Sequence, residues 1–327
     1  SSMLTRFTAW QYAGPVAILF AAFLWSLDAL LRQSLYSLPS MFIVFIEHAL
    51  GLLITLPWLI KFWPRILKLD RKTWISVFWV AFFGGLLGTL AYTSALSYIN
   101  YIHFSVVVLL QKLQPIFAIL LARIVLKEQF NKQFYFWAFV ALVGSYFVAF
   151  PKVVPQLQDG GKNVLAGLLA VGAAFAWGSS TVMGKYSLRE LDSRIVTPLR
   201  LGLTALLSGI YILVFTRLDS VPYLNADQLF YLIAIVLSSG TVALSIYYFG
   251  LKKVQASQST LLEMFWPISA VSIDWIFFDH ALTGNQIMGA ILMLTAIYMV
   301  TQRPGLIKDS LYLTRSTSLT SAFQDQR

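Results

Sequence analysis

"LLQKLQPIFAIL" (109–120) returns as "LLEMFWPI" at 261–268, an offset of 152 residues counted from 109 to 261. The match sets Gln111, Lys112 and Gln114 just before Pro115, and Glu263 just before Pro267. At the same offset "FLW" (23–25) falls on "FAW" (175–177) and Gly144 falls on Ala296. "AL" at 95–96 and "GL" at 250–251 precede the two proline segments after small loop differences. Three anchors at one offset mark an internal duplication, which governs the reading of everything else in the chain.

Each copy is strongly apolar. With 58% hydrophobic, 15% aromatic and only 12% charged side chains among 327 residues, the chain carries too little charge to cover a soluble globule. Apolar runs long enough to cross a hydrocarbon core of about 30 Å as helices recur from end to end. They fall near 12–34, 40–60, 73–97, 102–126, 133–150, 164–188, 195–215, 228–250, 256–278 and 284–301. The sequence thus predicts an all-α integral membrane protein of ten transmembrane helices. Its units are a first five-helix repeat (12–150), a second (164–301) and a polar, Ser/Thr-rich cytoplasmic tail (302–327). Five is odd, so the second copy enters the membrane from the opposite side and the repeats are inverted. Secondary transporters commonly have this arrangement, with the substrate site near the midplane between the halves. Two interchangeable halves predict alternating access.

Charge placement orients the chain. The net charge of +10 suggests a nucleic-acid partner only until the residues are located. With the N-terminus in the cytoplasm, the inside segments hold Arg6, Lys61, Arg65, Lys68, Arg71, Lys72, Arg123, Lys127, Lys132, Lys185, Arg189, Arg194, Lys252, Lys253, Arg303, Lys308, Arg315 and Arg327. The outside loops hold Lys152, Lys162 and Arg217. This bias puts both termini in the cytoplasm, in what is expected to be a bacterial inner membrane. The first span lacks a small-residue cleavage site and reads as a permanent helix. Absence of cysteine rules out disulfides, thiolate metal sites and a cysteine nucleophile.

These features resemble the drug/metabolite transporter superfamily, in its EamA branch. The resemblance rests on "LW" and "AW" in spans one and six, "ALSY" (95–98), the mid-helix prolines of spans four and nine, and "LKEQF" (126–130). It covers about residues 12–301. It implies a ten-helix secondary transporter, often an exporter of amino acids or other metabolites, with a cavity lined by spans three, four, eight and nine and touched by one and six. Departures are Asp279-His280 where the first copy has Lys127-Glu128, and Arg200 where span two has Glu47-His48.

Ionised groups at mid-bilayer cost roughly 2.5 to 3.5 kcal/mol on insertion scales and so face a partner or a wet cavity. Asp28 and Arg32, four apart, can pair on one helix face. Glu47 and Arg200, at repeat-equivalent places, are expected to pair between the halves; with Asp28 and Arg32 they are candidates for gating or proton coupling. Asp274 is expected near the outer water. Lys112 and Glu263 precede the prolines, where the helix loses a backbone hydrogen bond and polar groups mark transporter sites. They either bridge spans four and nine or line the substrate cavity. Gln111, Gln114, Trp25, Trp177, Tyr92, Tyr248 and Trp266 complete the expected site. His48, His103 and His280 are too scattered to hold a metal. The glycines of "GGLLG" (84–88), with Gly178 and Gly184, are expected to let helices approach.

No Walker loop, zinc-ligand spacing or nucleophile elbow occurs, so an ATP-driven pump or soluble-type hydrolase has no support and no cofactor is expected. A site with one cation, one anion and stacking surface suits an amino acid or related zwitterion: Lys112 for its carboxylate, Glu263 for its ammonium. Organic cations, nucleobases or nucleoside-like metabolites are the alternative substrates. An integral-membrane enzyme is the alternative from another class, and a receptor-like protein has no use for two interchangeable halves. The expected partners are a small-molecule substrate and the bilayer, without nucleic acid. Nothing in the sequence fixes the oligomeric state.

Overall fold

A computed structural model describes residues 2–35, 37–91, 113–149, 162–303 and 306–309. Lys112, Gln111, Tyr92 and His103 lie outside these residues. The described chain is helical apart from two short strands. Its helices are α1 (Ser2–Ser26), α2 (Asp28–Arg32), α3 (Ser40–Ile66), α4 (Arg71–Trp79), α5 (Gln114–Val125), α6 (Lys132–Ala149), α7 (Lys162–Ser187), α8 (Ser193–Phe215), α9 (Ala226–Leu237), α10 (Thr241–Lys253), α11 (Ala256–Glu263), α12 (Phe265–Phe278) and α13 (Gly284–Gln302). Strands β1 (Glu128–Phe130) and β2 (Ile307–Asp309) pair antiparallel.

Seven helical stretches among the described residues are long and apolar enough to cross a membrane: Gln11–Arg32, Ser40–Ile66, Arg71–Ala91, Ser193–Phe215, Ala226–Lys253, Ala256–Phe278 and Gly284–Gln302. Several expected spans are interrupted rather than continuous. The ninth breaks at Met264 into α11 and α12, and the fourth is described from Leu113, a turn residue directly before α5. A proline disfavours α conformation in the residue before it and removes the bond to the carbonyl four back, which explains the break that precedes Pro267 and the turn residue before α5. The third span winds as a π-helix over Val80–Leu87, and the eighth turns at Ser238–Gly240 between α9 and α10. Shifted by 152 residues, from 87 to 239, the end of the first irregularity overlaps the second.

The duplication is also visible in the backbone. Among the described residues the non-glycine positions with positive φ are Lys127 (59°) and Asp279 (58°), again 152 apart from 127 to 279. Each follows a proline-bearing helix and supplies the left-handed residue that ends it, an uncommon conformation for lysine. Packing respects the exchange of halves too. Repeat-equivalent α3 and α8 pack on each other, as do α6 and α13; α5 packs on α7 as α12 packs on α1. Gly144 and Gly289 hold α6 and α13 together: a Cβ on either would stand 2.6 Å from the other's carbonyl oxygen. Small residues at helix crossings provide the close van der Waals contact that lipid cannot.

Apolar side chains such as Leu53, Ile60, Leu213, Phe215 and Phe277 are exposed around the bundle, as a hydrocarbon solvent requires. The interior core joins Ile18, Ile66, Val77, Ile195, Leu251 and Tyr248 from both halves.

Candidate functional site

The polar centre is built where broken and irregular helices meet. Glu263 is the last residue of α11, and Ser259, one turn earlier, donates to its Oε2 at 3.1 Å. Tyr247 of α10 is the nearby tyrosine. Its hydroxyl lies 3.1 Å from Thr181 Oγ1 on α7. Tyr247 packs its ring against Trp25 (centroids 5.2 Å apart) and against Tyr248 (5.3 Å). Both tyrosines are buried. Arg200 of α8 then donates from Nη1 to the Tyr248 hydroxyl at 2.8 Å. Two adjacent tyrosines thus stand between a carboxyl group and a guanidinium.

Trp177 closes the same region. Its indole nitrogen donates to the Gly84 carbonyl at 3.2 Å. Gly84 is hemmed in by Ser180 and by Arg200 Nη2, which would stand 3.5 Å from an added Cβ, so no other residue fits that crossing without movement. Gly178 lies against the Gln114 carbonyl at the start of α5, 2.7 Å from where its Cβ would be. One residue away from Gly84 and Trp177 opens an apolar cavity of about 410 Å³ whose lining includes Phe83, Leu87, Phe175 and Ala176. Its volume falls within the range of small-molecule pockets, and its apolar walls suit rings rather than charges.

A second cluster sits apart. Arg32 Nε meets Asp28 Oδ2 at 2.6 Å and its Nη2 meets Asp28 Oδ1 at 2.9 Å. The same Nη2 reaches Glu47 Oε1 at 2.6 Å, and Ser239 Oγ donates to Asp28 Oδ1 at 2.7 Å. The expected Asp28–Arg32 pair is present. The expected Glu47–Arg200 pair is not: Glu47 binds Arg32, and Arg200 binds Tyr248. Equivalence along the chain does not fix distance, and each of these residues finds a closer partner on another helix.

Other expected residues are dispersed. Trp266 is 39% exposed on α12 and is not brought to the tyrosines, because the turn at Met264 re-aims the residues after it. Gln114 is half-buried, Pro115 and Pro267 are both buried, and α5 packs on α11. Asp274 is exposed and pairs with His280 at 2.9 Å. Among the described residues no group of three His, Asp or Glu side chains could hold a metal.

Tyr247, Thr181 and Ser259 of the candidate site, and Ser239 of the second cluster, are residues that the sequence reading missed. Two of them carry a usable signal, since Ser259 is four residues before Glu263 and Thr181 four after Trp177, the spacing of one helix face.

Comparison with known proteins supplies a family. The EamA-like transporter family matches residues 12–150 and again 164–302. The riboflavin transporter ImpX of Fusobacterium nucleatum subsp. nucleatum is 36% identical over 291 residues, covering 88% of this chain and 97% of that protein. The uncharacterized transporter YoaV of Bacillus subtilis is 26% identical over 188 residues, 57% of this chain and 63% of that one. A crystal structure 17% identical in sequence superposes with a TM-score of 0.72 over 90% of this chain and 97% of that one, a likeness of fold alone.

Proposed function

The chain belongs to the EamA-like transporter family, and from that premise we propose that it carries a flavin of the riboflavin class across the membrane by alternating access. The observation that carries this reading is the 36% identity to a riboflavin transporter over 97% of that protein's length. The site supports it. Trp25, Trp177, Tyr247 and Tyr248 offer flat aromatic surface for a tricyclic ring, while Ser259, Thr181 and Glu263 offer hydroxyl and carboxyl partners for a polyol chain. Stacking and a few placed polar groups are what a ligand pocket for a neutral heterocycle needs.

This reading replaces the amino-acid one. The relative matched over 97% of its own length is a riboflavin transporter rather than an amino-acid one, and the Ser259 hydroxyl at Glu263 with the aromatic rings of the site suits a neutral heterocycle. The transport cycle we propose is an exchange of roles between two inverted halves. The packing of α3 on α8, of α6 on α13, and the matched α5–α7 and α12–α1 contacts are compatible with a twofold relation between them.

Counterflow in liposomes tests the substrate. Vesicles loaded with unlabelled riboflavin should accumulate external labelled riboflavin, and vesicles loaded with amino acids should not accumulate labelled amino acids. Amino-acid counterflow without riboflavin counterflow overturns the flavin reading. Orientation is a further part of the proposal, with both termini cytoplasmic in an inner membrane. It rests on the basic residues concentrated at Arg65, Lys68, Arg71 and Lys72. A cysteine placed at Lys68 should resist an impermeant thiol reagent on intact cells and react after permeabilisation; labelling of intact cells reverses the topology.

A further inference from the structure

We propose that Arg200 is the recognition group of the substrate site, its guanidinium fork taking the adjacent carbonyl and ring-nitrogen acceptors on one edge of the flavin ring system. The inference rests on the flavin reading above and extends it to a residue and a chemical edge.

Arg200 holds donors that the protein does not use. A guanidinium carries five N–H donors. In the structure Nη1 serves the Tyr248 hydroxyl, and Nε is enclosed without a hydrogen-bond partner. Among the described residues Arg200 has no carboxylate within ion-pair distance. Arg32, one cluster away, spends its fork on Asp28 and Glu47. An enclosed cation with an unused edge is costly to keep in a membrane bundle, and such residues mark substrate paths.

The surroundings define what the free edge can take. Gly84 faces Nη2 with no side chain of its own, Ser180 lies against the same glycine, and Trp177 is hydrogen-bonded to its carbonyl. His48 of α3 is within electrostatic reach of Arg200 and has its Nδ1 2.7 Å from the Val44 carbonyl. Tyr248 presents its ring 5.9 Å from the guanidinium carbon. These neighbours are planar or small, surfaces whose shape suits a flat ligand. Arginine recognises a ring nitrogen and an adjacent exocyclic carbonyl bidentately, as it does on the guanine edge in nucleic acids. The flavin ring offers that pair twice, at O4 with N5 and at O2 with N1. The Nε and Nη2 edge of Arg200 is the one left for it.

Binding to the purified protein, read by quenching of flavin fluorescence, tests this with riboflavin, 5-deazariboflavin, 1-deazariboflavin and flavin mononucleotide. The native protein should bind one of the two deaza analogues at least tenfold more weakly than riboflavin. Arg200→Gln should lose roughly tenfold to a hundredfold in riboflavin affinity and lose the discrimination between riboflavin and that analogue. Arg200→Lys, which keeps the charge and removes the fork, should lose the discrimination as well, and serves if the glutamine variant does not fold. Equal binding of riboflavin and both analogues by the native protein overturns the proposal. So does riboflavin affinity in the variants equal to native, or a preference of the native protein for flavin mononucleotide that disappears in Arg200→Gln, which would make Arg200 a phosphate partner. No riboflavin binding by the native protein overturns the flavin reading itself and this inference with it, a result separate from a native protein that binds riboflavin without help from Arg200.

Discussion

Two charged clusters in one bundle show opposite solutions to the same cost. At Asp28, Arg32 and Glu47 the charges answer one another: two carboxylates share a guanidinium, and Ser239 adds a hydroxyl. Glu263 and Arg200 stay apart, each held by a hydroxyl, that of Ser259 for Glu263 and that of Tyr248 for Arg200. A fully paired cluster has nothing left to offer a ligand, while charges held by hydroxyls can exchange those bonds for a substrate's. The first cluster ties α2 to α3 and, through Ser239, to the turn before α10; the second lies between broken helices. On the proposed function, stability and binding are carried by different charges.

The sharpest way to break that comparison is Arg32→Met. It leaves Asp28 and Glu47 facing each other without a cation, and the loss should be about 3 kcal/mol, the low end for a buried pair because Arg32 keeps 25% exposure. The thermal midpoint in detergent should fall clearly, and adding Glu47→Gln should recover part of the loss. A variant as stable as the native protein would mean that the first cluster is not structural.

Next in size is Glu263→Gln. Riboflavin affinity should fall by roughly tenfold to a hundredfold, the cost of losing a charged hydrogen-bond partner of about 1.5 to 3 kcal/mol. Stability should be unchanged or higher, since a carboxylate no longer has to be desolvated. Isothermal binding beside a melting curve separates the two effects; unchanged affinity with lower stability would give Glu263 the role assigned to Arg32.

The smallest effect belongs to a charge outside the bundle. Asp70 caps α4 by accepting from the Thr73 hydroxyl and amide, and these bonds hold its carboxyl below its ordinary value. A lowered carboxyl contributes stability at neutral pH that is lost as pH falls through that lowered value. Melting curves of the native protein and Asp70→Asn should differ in pH dependence only in the acid range, by far less than the Arg32→Met effect. A larger difference at neutral pH would place an important structural charge at the membrane surface.

Much of the fold was legible because hydrophobic length and duplication are properties of order along the chain. The 152-residue offset found in "LLQKLQPI" and "LLEMFWPI" reappears as the matched left-handed residues Lys127 and Asp279. The site was legible in part. Glu263, Trp25, Trp177 and Tyr248 carry a visible chemical signal, whereas Tyr247 differs from fourteen other tyrosines only in where its helix points. The Glu47–Arg200 pairing failed because sequence equivalence says nothing of distance.

By itself the sequence determined the membrane setting, the family, the repeat and the residue types available to a site. The tertiary structure decided which charges met. Arg32 rather than Arg200 took Glu47, Arg200 was turned to Tyr248, and the break at Met264 carried Trp266 away while leaving Glu263 beside Tyr247. The reason is physical: burial cost acts on each charge separately and can be read residue by residue, but the partner that offsets it is chosen by helix crossings a few ångströms apart, set by glycines and broken turns from opposite ends of the chain.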